Sequence, residues 1–92
     1  MDKLSEISSV LAKIGDAALL EQFFREILTS REVRDISSRW ELVKLLEAGV
    51  SQREIARKLG LSLCKITRGS RELKKNDSAM RFLLNARAGE GG

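Results

Sequence analysis

The stretch SQREIARKLGLSLCKITRGSREL, residues 51–73, decides the fold. Ser51 can cap a helix, with its hydroxyl taking a free amide while Glu54, three residues on, reaches back to the N–H of the cap residue. Ile55, Ala56 and Leu59 then face inward, and a small residue at position 56 suits two helices that cross closely. Gly60 fits a turn that needs a positive φ, and Leu61 covers that turn. Ser62 can cap a second helix in which Leu63, Ile66, Ser70 and Leu73 recur at helical spacing, leaving Cys64, Lys65, Arg68 and Arg71 for other faces. Two short helices joined by a tight turn make a helix-turn-helix.

Charge sharpens this pattern. Residues 51–75 hold eight Lys/Arg against two acids, whereas the rest of the chain nets −2, so the overall +4 comes from about one quarter of the 92 residues. A basic patch laid over a bihelical pattern is the footprint of a phosphate-facing surface; a bare charge run would be read as a solvated helix face. The chain has one cysteine and no histidine. An internal disulfide is therefore excluded, an ordinary zinc site has no imidazole, and Cys64 is read as a contact or packing residue before a thiol switch. With no His, no Tyr and no phosphate-cradling glycine loop, a non-enzyme without a cofactor is expected. No run approaches the roughly 18 apolar residues of a membrane span, and MDKLSEISS lacks the order of a signal peptide, so a cytoplasmic protein with no membrane partner is expected.

Outward from residue 51, the sequence reads as a single domain, residues 1–92, with four more helices. Leu4, Ile7, Leu11 and Ile14 form an apolar stripe that Gly15 ends. Asp16 can cap residues 17–28 (AALLEQFFREIL), which are apolar on more than one face. Thr29 and Glu32 spell a second capping box, opening a longer helix with Val33, Ile36, Trp40, Val43 and Leu46 inward and Leu42 and Leu45 widening the stripe. Gly49 stops it. After the helix-turn-helix of residues 51–75, Asp77 or Ser78 caps a last helix over residues 78–88 carrying Met80, Leu83 and Leu84, before a flexible tail at 89–92. The expectation is an all-α protein of six helices. Apolar helices within residues 1–48 would expose a large patch alone, which points to a dimerisation region and a homodimer.

From Leu28 to about Leu84 the chain resembles the tryptophan repressor family. Three stretches carry the resemblance: Leu28-Thr29 before the Arg-rich helix containing Arg39, residues 51–60, and above all Ile66-Thr67-Arg68-Gly69-Ser70. A glycine at position 69, where bihelical domains tend to keep an apolar residue, suits a ligand that comes close to the backbone. The resemblance implies an intertwined homodimer in which L-tryptophan lies between the long central helix and the second helix of the helix-turn-helix. Arg39 and Arg68 would sandwich the indole. Arg68 and Thr29 would bind the carboxylate, backbone carbonyls near Glu26 and Leu28 would accept from the ammonium group, and Gly69 would leave room for the ring. Glu72 stands near the ligand's amino group, where the family has a small hydroxyl residue.

Contacts to double-stranded operator DNA carry over in the same way. Arg53 would reach a guanine edge, Gln52, Arg57, Thr67 and Lys74 would hold phosphates, and Leu63, Cys64 and Lys65 would face the major groove. Dimeric helix-turn-helix proteins, this repressor among the known examples, place two recognition helices about 34 Å apart on a palindrome. The implied function is a homodimeric transcriptional repressor with L-tryptophan as corepressor. Two alternatives stay open: a ligand-independent helix-turn-helix module, which needs neither Arg39 nor Gly69, and a helical partner-binding protein with only nonspecific DNA affinity.

Overall fold

The computed structural model describes residues 2–90. Six helices follow in order, α1 (Lys3–Leu11), α2 (Ala17–Ile27), α3 (Ser30–Glu47), α4 (Gln52–Leu59), α5 (Leu63–Lys74) and α6 (Ala79–Glu90), with no strand among the described residues. The chain divides into two compact units, one up to Arg34 and one from Asp35 onward, and α3 runs through the division.

In the first unit the helices are set by local chemistry. Asp2 caps α1 by accepting from the Ser5 amide at 2.9 Å, and Asp16 caps α2 by accepting from the Ala18 and Leu19 amides. Thr29 and Glu32 form the expected reciprocal box, Glu32 N–H to the Thr29 hydroxyl at 3.1 Å and Thr29 N–H to the Glu32 carboxylate at 2.8 Å. One expected boundary moves. The amides of Lys13 and Ile14 bond the carbonyls of Val10 and Leu11, which tightens the end of α1 into a turn, so Ile14 and Gly15 lie outside it. Neither α1 nor α2 holds a buried residue, and Leu4, Leu19, Phe24 and Ile27 are exposed.

In the second unit the same capping devices come with a closed interior. The Ser51 hydroxyl accepts from Glu54 N–H at 3.2 Å, the Ser62 hydroxyl from Lys65 N–H at 3.4 Å, and the Ser78 hydroxyl from Arg81 N–H at 3.3 Å. Gly49 and Gly60 end α3 and α4 with φ of +87° and +65°, values that L side chains rarely adopt. Helix α5 packs against both α4 and α6. Leu42, Ile55 and Ile66 form one buried cluster, which Ala56, Leu59 and Leu61 flank, while Val43, Leu73 and Leu84 form another, which Trp40, Leu46 and Met80 flank.

Four expectations in this unit need correction. Glu54 does not reach back to Ser51; its carboxylate pairs with the Arg57 guanidinium one turn on, a charge-assisted bond that outcompetes a neutral amide. Leu63 shares the apolar spacing of Ile66 but is 58% exposed, lying on the outer surface with Cys64 and Lys65. Ile36 is 51% exposed and borders a cavity rather than the core. On α6 only Leu84 is buried, with Phe82 73% exposed and Leu83 also outside, and the helix continues through Gly89 and Glu90, which the sequence assigned to the tail. Gly91 and Gly92, the rest of that tail, lie outside the described residues.

Candidate functional site

A cavity of about 520 Å³ opens in the second unit between the faces of α3 and α5. Helical periodicity builds it. On α3 the lining positions are 35, 36, 38, 39, 40, 42 and 43, and on α5 they are 65, 68, 69 and 72, sets linked by steps of three or four and so gathered on one side of each helix. Arg39, Arg68, Gly69 and Glu72, four positions singled out from the sequence, are thereby brought to one cavity, Arg39 from α3 and the other three from α5. Its size lies in the range of small-molecule sites, roughly 300–1,000 Å³, and its lining mixes apolar side chains with a few charged groups, as such sites do.

Gly69 has a definable geometric role. A Cβ built there would meet Cδ2 of Leu42 at 3.1 Å and Cδ1 of Leu46 at 3.7 Å. The glycine therefore lets α3 and α5 approach closely besides bordering the cavity. Arg39 and Arg68 are exposed, and no acid lies within salt-bridge distance of either among the described residues. Their guanidinium groups are unengaged. Glu72 pairs with Lys75 at 2.9 Å and not with Arg68. The hydrogen bond and charge of Lys75, with a smaller contribution from the Arg68 charge, hold the Glu72 carboxyl below the usual glutamate range.

The other three ligand positions belong to the first unit. Glu26 is exposed on α2 and accepts from the Gln22 amide at 2.8 Å. Leu28 is the C-cap of α2, and Thr29 precedes α3 with its hydroxyl oxygen accepting from Glu32 N–H. A hydroxyl that accepts still has its own proton to donate.

The basic residues of 51–75 are displayed on α4 and α5. Gln52, Arg53, Arg57, Leu63, Cys64, Lys65 and Lys74 are exposed, and Thr67 is half-buried. Arg57 is not free, since Glu54 engages it, and that hydrogen bond lowers the Glu54 pKa and raises that of Arg57. Cys64 is a free, exposed thiol. No group of three potential metal ligands occurs among the described residues, and no described helix is long and apolar enough to cross a membrane.

Several cavity residues escaped the sequence. Asp35, Ile36, Ser38 and Leu42 share the α3 face with Arg39, so the three-to-four spacing counted from Arg39 would have found all but Ser38. Leu61 and Met80 come from the turn and from α6, and no local signal points to them. Lys65 was assigned to the basic face alone yet also borders the cavity, and Trp40, expected in the core, is half-buried and lines it too.

Comparison with known proteins bears on this arrangement. Residues 2–88 match the family model described as "Trp repressor protein". The "Trp operon repressor homolog" of Chlamydia trachomatis serovar L2 is 36% identical over 77 residues, covering 83% of this chain and 82% of its own length. The homolog of the same description from Chlamydia caviae is 41% identical over 76 residues, 80% of this chain and 75% of that protein. That of Xylella fastidiosa strain M23 is 38% identical over 69 residues, 74% and 75% of the two chains. No solved structure matches.

Proposed function

Because the chain belongs to the Trp repressor family, we propose that it is a homodimeric, tryptophan-dependent transcriptional repressor of palindromic operator DNA. One observation carries the ligand half of this reading: two unengaged arginines, Arg39 and Arg68, border one cavity from α3 and α5 beside a glycine on α5. Planar guanidinium groups attract the face of an indole, and each such contact is worth about 1 kcal/mol or more when water is excluded. Arg68, on the α5 side of that cavity, binds the carboxylate.

For the DNA half, α4 and α5 form the helix-turn-helix. Arg53 reaches a base edge; Gln52, Arg57, Thr67 and Lys74 hold phosphates; Leu63, Cys64 and Lys65 face the groove. Filling the cavity props α5 against α3 and favours one orientation of the recognition helix. By linkage, tryptophan tightens operator binding only by the factor by which DNA tightens tryptophan. The second copy is supported by the exposed Leu19, Phe24 and Ile27 of α2, an apolar face that a monomer would leave in water.

The test is fluorescence anisotropy of a labelled palindromic trp-operator-like duplex at fixed near-physiological salt, with and without L-tryptophan. The expected result is tighter binding with tryptophan, absent on a scrambled duplex and abolished by Arg68→Ala. Equal binding with and without tryptophan would refute the corepressor, and an unchanged tryptophan response in Arg68→Ala would refute the cavity as its site.

A further inference from the structure

Residues 51–75 contain two acids, Glu54 and Glu72, among eight cations. On a surface that faces phosphates a carboxylate repels the partner, so each acid needs a reason to be there. Glu72 borders the cavity and pairs with Lys75. Glu54 lies in the first turn of α4, and its side chain pairs with Arg57. The contact is side-on: Nε of Arg57 donates to Oε2 of Glu54 at 3.3 Å, and Nη2 donates to Oε1. A guanidinium has five N–H groups, so three remain, two on Nη1 and one on Nη2. One from each of these terminal nitrogens points in parallel off the end of the group, the fork that takes two phosphate oxygens. The Arg57 side chain is 71% exposed against 39% for Glu54, so the fork is open to a partner while the carboxylate sits further in.

Other cations compete for this carboxylate. Lys58 stands at i+4 from Glu54, a favoured spacing for a Glu-to-Lys pair on a helix. The carboxylate takes Arg57 instead, because a planar guanidinium meets it in two parallel bonds and an ammonium is a point charge. Arg53 stands one turn before Arg57 on α4, and like charges at that spacing push apart. Glu54 therefore decides where the Arg57 guanidinium rests. We infer that Glu54 is a positioning residue for the DNA contact of Arg57, holding the guanidinium side-on so that its end meets a backbone phosphate already oriented. This rests on the reading of α4 and α5 as the operator-binding surface. A mobile arginine gives up side-chain freedom when it docks, and a pre-ordered one has less to lose. Phosphate contacts set register and orientation on the duplex. A fixed Arg57 favours the one docking in which a phosphate falls at its fork, whereas a mobile one follows any duplex. Glu54 thereby lowers affinity for DNA in general and raises the preference for the operator.

The experiment is fluorescence anisotropy of the full-length protein with L-tryptophan present, on a labelled palindromic trp-operator-like duplex and on a scrambled one, at several salt concentrations. Glu54→Gln removes a negative charge from a DNA-facing surface, so a simple charge effect tightens both duplexes alike. Positioning gives the opposite sign on the operator: binding about two- to fivefold weaker, the fold-change of an exposed ion pair, with scrambled DNA bound as well as before or better. Arg57→Lys, which keeps the charge and loses the fork, should give the same operator loss. Arg57→Ala should weaken both duplexes and reduce the slope of log affinity against log salt by about 0.9 per protomer. Glu54→Gln added to Arg57→Ala should weaken operator binding no further. Equal tightening on both duplexes in Glu54→Gln, an operator loss that persists undiminished in the Arg57→Ala background, or an unchanged salt slope in Arg57→Ala overturns the assignment. So does a Glu54→Gln that lowers the melting temperature and leaves the operator preference unchanged, the result of a carboxylate that only supports the first turn of α4. A wild type that binds the two duplexes equally overturns operator recognition itself, and this inference with it.

Discussion

Asp16 at the head of α2 and Ser51 at the head of α4 do the same work, each accepting backbone amides that the first turn leaves free. Yet Ile55 on α4 is completely buried while Ile27 on α2 is 56% exposed. The two units share one local code for starting a helix and differ in whether any apolar side chain becomes fully buried. Capping is decided by neighbours two or three residues away and succeeds in both units. Burial is decided by distant elements, and side chains are fully buried only in the second unit. Helix formation and core formation are therefore separate accomplishments of this sequence.

The largest effect should come from breaking the interior that only one unit has. Ile55→Ala is expected to destabilise by about 2–5 kcal/mol in chemical denaturation, the usual result of emptying a fully buried aliphatic site. Ile27→Asp should act on association instead, converting the proposed homodimer to a monomer in sedimentation; unchanged mass would remove α2 as the covering surface. Next in size, Asp16→Ala and Ser51→Ala should each cost about 1 kcal/mol, since the caps are equivalent although the burial is not. A large inequality between them would show that the code is not shared.

Gly69→Ala sets local propensity against tertiary contact. Alanine is worth about 1 kcal/mol over glycine inside a helix, while its Cβ would push Leu42, which borders the cavity and has room to yield. Stability should stay within about 1 kcal/mol of the wild type, with the heat of the proposed tryptophan binding lost. The smallest effect is acid sensitivity. Glu54 and Glu72 have lowered pKa values in the folded chain, so their contribution is present above the usual glutamate range, near 4.3, and is lost as pH falls through the lowered values. The melting temperature should decline slightly on acidification below that range, and less steeply in Glu54→Gln.

Much of this was legible in the residues. The six helices, the glycine stops at 49 and 60, and the caps at Asp16, Thr29, Ser51 and Ser62 were readable because each depends on a hydrogen bond or a dihedral within a few residues. Arg39, Arg68, Gly69 and Glu72 emerged from a family motif, and the structure brings them to one cavity. Exposure was harder. Ile36, Leu63 and Leu83 have the apolar spacing of core positions, and periodicity alone cannot distinguish a face that meets another helix from one that meets a cavity or water. Glu54 was misassigned because two local partners compete for it, and only the pairing with Arg57 reveals the winner.

Lys65 lies in the first turn and a half of α5, beside the exposed Leu63 and Cys64, and borders the cavity as well. The partition between the chamber and the outer face of that helix is thus a single side chain thick at this point. Anyone redesigning the chamber for a chosen small molecule inherits a constraint: enlarging it at position 65 rewrites the exposed surface in the same stroke. New sensors built on this scaffold should take their changes from α3, at Ile36 or Trp40, where the cavity can be recut without altering the outer surface of α5.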